Sequence, residues 1–283
     1  METGSYRGFE TAISERGVLT IRFNRPEKLN GLDQWIKRDL VETLTQAQMD
    51  DGVRVVVFTG TGRAFCAGDD LSAHGGNRES LLPAIPAGHR TPIGTYDGLR
   101  MLSQPVTSMV RGLNKLTIAA MNGVAIQSGF SLALACDFRI ASEGARMGSA
   151  TLRFGLLPDE GGQYLLVQLL GVAGAMDFLM RKRIVDAQEA LRLGLVHEVV
   201  GASELDAHTS ALALELADGP QVAMRLLKRS LYNAAEMTFA HALDEIASKT
   251  AIGDHHADAR EGVAAFREKR APRFNAWLEP DQT

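Results

Sequence analysis

Residues 117–135 form the most apolar stretch of the chain, yet Asn122, Gly123, Gln127, Ser128 and Gly129 interrupt it. A membrane helix needs a long unbroken apolar run, which this stretch lacks. Residues 117–121 read instead as a strand, Asn122-Gly123 as a turn, and residues 129–135 as a helix buried on most sides. A strand and a buried helix in so short a span must both be covered. A layered α/β architecture does that.

The same units recur along the first half. Residues 18–23 alternate as a strand, and residues 53–60 read as a buried strand ending on glycine. Residues 33–49 carry Trp35, Ile36, Leu40, Leu44 and Ala47 at helical spacing, with Leu32-Asp33 marking the start. Residues 138–141 are a further strand. After about Gly201 the strand signal ends, and residues 204–217, 220–234 and 239–250 read as amphipathic helices. The expected organisation is an α/β core over residues 1–200 and a helical region over residues 201–283. Residues 75–94, rich in glycine and proline, are expected to form one long loop.

Composition narrows the function classes. Lys+Arg is 30 against Asp+Glu 34, so the net charge of −4 gives no reason to expect a nucleic-acid partner. The only cysteines are Cys66 and Cys136, too few for a disulfide framework and without zinc-site spacing. The N-terminal residues lack the basic-then-apolar pattern of a signal peptide. These features predict a cytoplasmic protein with reduced thiols, no membrane segment and no metal.

No phosphate-binding loop, dinucleotide fingerprint, HExxH or GxSxG motif is present. Two glycine-containing turns remain, residues 64–71 and 122–129, each at the end of a strand. Facing each other, they would present backbone N–H groups as an oxyanion hole; otherwise they are ordinary tight turns. Spacing alone leaves both readings open.

Four segments in order resemble the crotonase superfamily, the enoyl-CoA hydratase/isomerase family: residues 25–32 (RPEKLNGL), 64–71 (AFCAGDDL), 119–137 and 155–162 (GLLPDEGG). Residues 186–190, 194–196 and 266–270 add a weaker match. The resemblance implies a spiral of ββα units and a helical C-terminal region that builds a trimer, often paired into a hexamer. It also implies an acyl-CoA thioester substrate, with coenzyme A as part of the substrate and no separate cofactor. By the same resemblance, the backbone N–H groups of Asp69 and Ser128 are the oxyanion donors. Lys28, Ala64, Ala67, Gly68, Leu71, Phe266 and Lys269 stand where relatives contact CoA or substrate. Where most relatives run three glycines, this chain has Gln127-Ser128-Gly129.

Hydratases of that family place one glutamate just after the glycine run and a second on the following segment. Ser131 and Thr151 stand at those positions here, and neither hydroxyl is a general base near neutral pH. Asp159 matches the carboxylate of family isomerases that shift a double bond or form a ring oxepin, and Glu160 follows it. The leading expectation is an enoyl-CoA isomerase with Asp159 as base. The alternatives are a hydratase, thioester hydrolase or carbon–carbon hydrolase using Glu160 or a loop residue. A catalytically idle CoA-thioester-binding or assembly subunit is the reading of another class. His74 and His89 are weaker acid–base candidates, while His255-His256 reads as an exposed helix end without a third ligand at metal spacing. Asp70 is expected to brace its turn. Phe130 and Tyr164 are candidates for shaping the acyl pocket.

Overall fold

A computed structural model describes residues 1–70 and 91–278. Eleven strands and ten α-helices are found among them, in two sheets. The larger sheet begins as an antiparallel set, β1 (Gly4–Tyr6), β2 (Phe9–Ile13) and β3 (Val18–Phe23). It continues in parallel through β4 (Val55–Gly60), β6 (Leu116–Met121), β8 (Phe138–Ser142) and β11 (Glu198–Val200). All six residues of β4 are buried, as expected for a central parallel strand covered on both faces.

The smaller sheet takes one short strand from each successive unit. β5 (Ala64–Cys66), β7 (Val124–Ile126) and β9 (Arg146–Gly148) run parallel, and β10 (Ile184–Asp186) pairs antiparallel with β9. Thus β4 and β5, β6 and β7, and β8 and β9 each place one strand in either sheet before the chain enters a helix. This is a spiral of ββα units, as the resemblance implied.

The helices are set by their apolar faces and caps. Helix α1 (Gln34–Met49) starts at Asp33, whose carboxylate accepts from the N–H groups of Trp35 and Ile36. It buries Ile36, Leu40, Leu44 and Ala47 in the main core. Helices α2 (Pro92–Gly98) and α3 (Gln104–Gly112) are joined by a π-helical turn at Leu99–Ser103. Thr91 caps α2 by accepting from the Gly94 N–H. The expected loop therefore ends before Gly94, because proline at the first helical position and a threonine cap start a helix there. Residues 71–90, with most of that loop and with Leu71, His74 and His89, lie outside the described residues. Helix α4 (Ser128–Ala135) is buried along its whole length.

Helix α5 (Gly162–Met180) is apolar and long enough, by composition, to cross a membrane. Gly171 breaks it with φ +66° and ψ 171°, leaving two segments too short to span a bilayer. Helix α6 (Ala187–Arg192) follows, then α7 (Leu205–Asp218), α8 (Gln221–Ala234), α9 (Phe239–Asp254) and α10 (Ala257–Glu268). No strand follows Val200 among the described residues. Leu205, Ala213, Leu216 and Ala217 of α7 cover Val18, Val55, Val57, Ile118 and Ile140 on the outer face of the larger sheet. That helix closes a second core, although it comes from the helical stretch after residue 200.

Candidate active site

The two glycine-containing turns meet because their strands pair. β5 and β7 run parallel, with Ala64 opposite Val124 and Cys66 opposite Ala125, so their C-terminal ends emerge side by side. A Cβ on Gly129 would lie 2.1 Å from the Cys66 carbonyl oxygen, and one on Gly68 would lie 2.7 Å from the Gln127 Cβ. Glycine at both positions is therefore a condition for the turns to abut. Residues 25–32 clasp the first turn: the Leu32 N–H donates to the Gly68 carbonyl, and the Asp70 N–H donates to the Leu32 carbonyl. Arg25 donates to the Asp70 carboxylate at 3.1 Å, so Asp70 does brace its turn.

The backbone N–H groups of Asp69 and Ser128 have no hydrogen-bond partner among the described residues. Ser128 is the first residue of α4, where the first N–H groups of a helix have no partner within it. The side chains of these two residues touch: Ser128 Oγ lies 2.6 Å from Asp69 Oδ1. It also lies 2.5 Å from Glu160 Oε1. Lys37 of α1 completes the cluster. Its Nζ donates to Asp69 Oδ2 and to Ser103 Oγ, both at 2.8 Å, and stands 3.8 Å from Glu160 Oε1.

Lys37 and Glu160 form the buried end of this cluster, and burial shifts their protonation. The Glu160 side chain is 7% exposed and that of Lys37 is 5%. Burial and the neighbouring Asp69 push the Glu160 carboxyl up to about 7, against the pull of Lys37 and the Ser128 hydroxyl. Burial alone would lower Lys37, but Asp69 and Glu160 outweigh it and hold the ammonium above its usual value. Burial also pushes the nearby Cys66 thiol up to about 12, so it is no nucleophile at neutral pH.

The Asp159–Glu160 turn is anchored from α3. Gln104 Nε2 donates to the Asp159 carbonyl at 3.1 Å, and Thr107 Oγ1 donates to the Glu160 carbonyl at 2.6 Å. Asp159 is half-buried, and its carboxylate has no hydrogen bond or ion pair among the described residues. Ser131, by contrast, is packing. A Cβ on Gly162 would lie 2.3 Å from its Oγ, so serine and glycine let α4 and α5 approach closely. Thr151 Oγ1 lies 3.1 Å from Ser149 Oγ, which donates to Gln127 Oε1 at 2.9 Å. Thr151 thereby supports the second turn from behind.

Other expected residues are dispersed. The Ala64 carbonyl accepts from Asn30 and Asn122, and the Ala67 N–H donates to Leu29, so both serve the turn's backbone. Lys28 is exposed in a 3-10 turn at Pro26–Lys28. Phe266 is 86% exposed at the end of α10, and Lys269 caps that helix with φ +55°. Neither has a hydrogen bond or ion pair to the two turns among the described residues. Phe130 stacks on Phe178 in the core, and the Tyr164 hydroxyl donates to Glu236 at 2.5 Å on the surface. His256 caps α10 and His255 bonds the Ala251 carbonyl, so both are structural helix-end residues. Among the described residues no three His, Cys, Asp or Glu side chains converge as a metal-holding group.

Sequence reasoning missed Lys37 and Ser103. A signal for Lys37 did exist. It falls three and seven residues before Leu40 and Leu44, on the apolar stripe of α1, where a charge must find a partner. Ser103 gave none, because a π-helical turn delivers it.

The enoyl-CoA hydratase/isomerase family model matches residues 14–277. The 1,2-epoxyphenylacetyl-CoA isomerase of Escherichia coli is 35% identical over 260 residues, covering 92% of this chain and 95% of that protein. The human mitochondrial enoyl-CoA hydratase domain-containing protein 2 is 36% identical, covering 92% and 86%. A crystal structure of an enoyl-CoA hydratase from Bacillus anthracis superposes with a TM-score of 0.86 at 32% identity, covering 94% of this chain and 98% of that one.

Proposed function

The chain belongs to the enoyl-CoA hydratase/isomerase family of the crotonase superfamily, and on that premise we propose that it is an enoyl-CoA isomerase with Asp159 as its base. The observation that carries this reading is the pair of unpartnered N–H groups on Asp69 and Ser128, with an uncommitted carboxylate at Asp159 and no carboxylate at positions 131 and 151.

The chemistry follows from the thioester. Asp159 removes a proton from the carbon beside the carbonyl, and negative charge moves onto the carbonyl oxygen. The two N–H groups hold that oxygen, at about 3 kcal/mol per donor by analogy with other oxyanion holes. Asp159 then returns the proton two carbons further along, and the double bond has moved into conjugation. One carboxylate suffices, since no water is added. Coenzyme A enters as part of the substrate, and the step needs no further cofactor.

The test is turnover of a 3-enoyl-CoA and a 2-enoyl-CoA in parallel, followed by the absorbance of the conjugated thioester. A rise with the first and no fall with the second supports the isomerase. Asp159→Asn is expected to lower kcat by about a hundredfold or more, with acyl-CoA binding retained. A fall with the 2-enoyl substrate would replace this reading with water addition. Glu160, the buried carboxylate beside the oxyanion donors, favours that second reading. Silence in both assays with binding intact would support a CoA-thioester-binding subunit.

A further inference from the structure

Ser128 Oγ touches two carboxylates, Asp69 Oδ1 at 2.6 Å and Glu160 Oε1 at 2.5 Å. A serine hydroxyl has one proton to donate. With both carboxylates ionised, one contact would press oxygen lone pairs together with no proton between them. A second proton is required, and the surroundings decide where it sits. The Asp69 side chain is 33% exposed and Lys37 Nζ stands 2.8 Å from it, so water and an ammonium both reach its carboxylate. The Glu160 side chain is 7% exposed, with Lys37 more distant at 3.8 Å. Burial penalises its charged form.

We propose that Glu160 is held as a neutral carboxylic acid that donates to Ser128 Oγ, that Ser128 donates to Asp69, and that Lys37 anchors the series as a positioning residue. The inference rests on the proposed oxyanion hole. The side chains of the two residues proposed to supply the backbone donors are thereby bonded to each other. The cluster of Lys37, Asp69 and Glu160 also carries no net charge beside the oxygen that becomes an enolate. When Glu160 loses its proton, an uncompensated anion appears there and Ser128 is drawn between two carboxylates. Turnover should therefore fall on the alkaline side, with a midpoint near the value of about 7 to which burial and Asp69 push Glu160. The groups facing Glu160 among the described residues are Lys37 from α1, Cys66 at the end of β5, Asp69 in the turn after it, Ser128 from α4 and the adjacent Asp159. Of the charged ones, Lys37 alone favours the ionised form.

The proton can be read without turnover. Infrared difference spectra of full-length wild type and Glu160→Gln are compared across the pH range. A protonated-carboxyl band should be present below neutrality in wild type, absent in the variant, and lost with a midpoint near pH 7. In Lys37→Met that midpoint should rise, and kcat should fall with KM changed less than about twofold. The amide introduced by Glu160→Gln can still donate to Ser128 but cannot ionise, so the pH profile of that variant should lose the alkaline limb. Absence of the band below neutrality, or an unmoved or lowered midpoint in Lys37→Met, overturns the proposal. So does a fall in kcat beyond about a thousandfold at every pH in Glu160→Gln, which would make Glu160 the base. Because the infrared arm needs no substrate, failure of the isomerase reading leaves its result interpretable.

Discussion

Gln127 holds φ +55° and ψ −119°, a conformation that glycine adopts freely and a side chain resists. Its neighbours leave it no alternative. Its N–H donates to the Gly148 carbonyl, its carbonyl accepts from the Ser131 N–H, and its side chain accepts from Ser149. Strain of about 1–3 kcal/mol is thus stored where α4 begins, next to Ser128, the second donor of the proposed oxyanion hole. This predicts an inverted order of stability at one position. At an unstrained site alanine is more stabilising than glycine by about 0.4–1 kcal/mol. Here Gln127→Gly is expected to be more stable than Gln127→Ala by about 1 kcal/mol, because both lose the Ser149 bond and only glycine relieves the strain. Urea unfolding of the two variants decides this. Alanine as the more stable of the pair would show that the turn is relaxed.

At the scale of elements, a largely enclosed carboxylate, its side chain 10% exposed, fastens α8 to the sheet. Asp137, between α4 and β8, accepts from Thr117 N and Oγ1, from Lys228 Nζ at 2.8 Å and from the Tyr232 hydroxyl at 2.6 Å. Arg111 of α3 lies over the Tyr232 ring at 4.1 Å. The Lys228 side chain is 3% exposed, so removing either charge strands the other out of water. Asp137→Asn and Lys228→Met are each expected to cost about 3 kcal/mol, and the double variant about 1–3 kcal/mol less than their sum. Denaturant unfolding of the four proteins completes the cycle; simple additivity would mean that the pair does not hold α8 in place. The sequence showed α8 by its period, yet Asp137 only as part of a matching segment, since its partners lie up to 95 residues away. The same limit applies to β7, β9 and β10. Each is three residues long, too short to display a period, and forms because the preceding strand fixes the register. Helix α1 was legible because its apolar stripe is local, whereas the buried Lys37 on that stripe makes sense only once Asp69 and Glu160 arrive opposite it.

The molecule as a whole leaves apolar surface uncovered. Along α8 and α9, Leu227 is 59% exposed, Leu231 65%, Leu243 51% and Ile246 45%, although the period of these helices is that of elements packed on something. On α5, Val167, Val172, Met176 and Met180 are exposed as well, beyond or beside the break at Gly171. Large contiguous apolar patches on a protein surface mark contact sites, and the exposed residues of α8 and α9 belong to the helical region, residues 201–283, expected to assemble the chain into a trimer or hexamer. Sequence periodicity could locate such faces but not their partner, because a stripe that packs inside one chain and a stripe that packs on a second copy obey the same spacing. Mutation separates the two. Leu231 and Leu243 stand outside the cores that hold the sheets, so a charge there should leave the fold intact while disturbing any assembly built on them. Wild-type protein at micromolar concentration is expected to sediment as a trimer or hexamer. Leu231→Glu with Leu243→Glu should sediment as a monomer with an unchanged circular dichroism spectrum, since the lost association is hydrophobic and the lost intrachain packing is small. A wild-type monomer would defeat the assembly and leave α8 and α9 open to a different partner. An assembled double variant would move the interface to α5, where Met176→Glu makes the corresponding test.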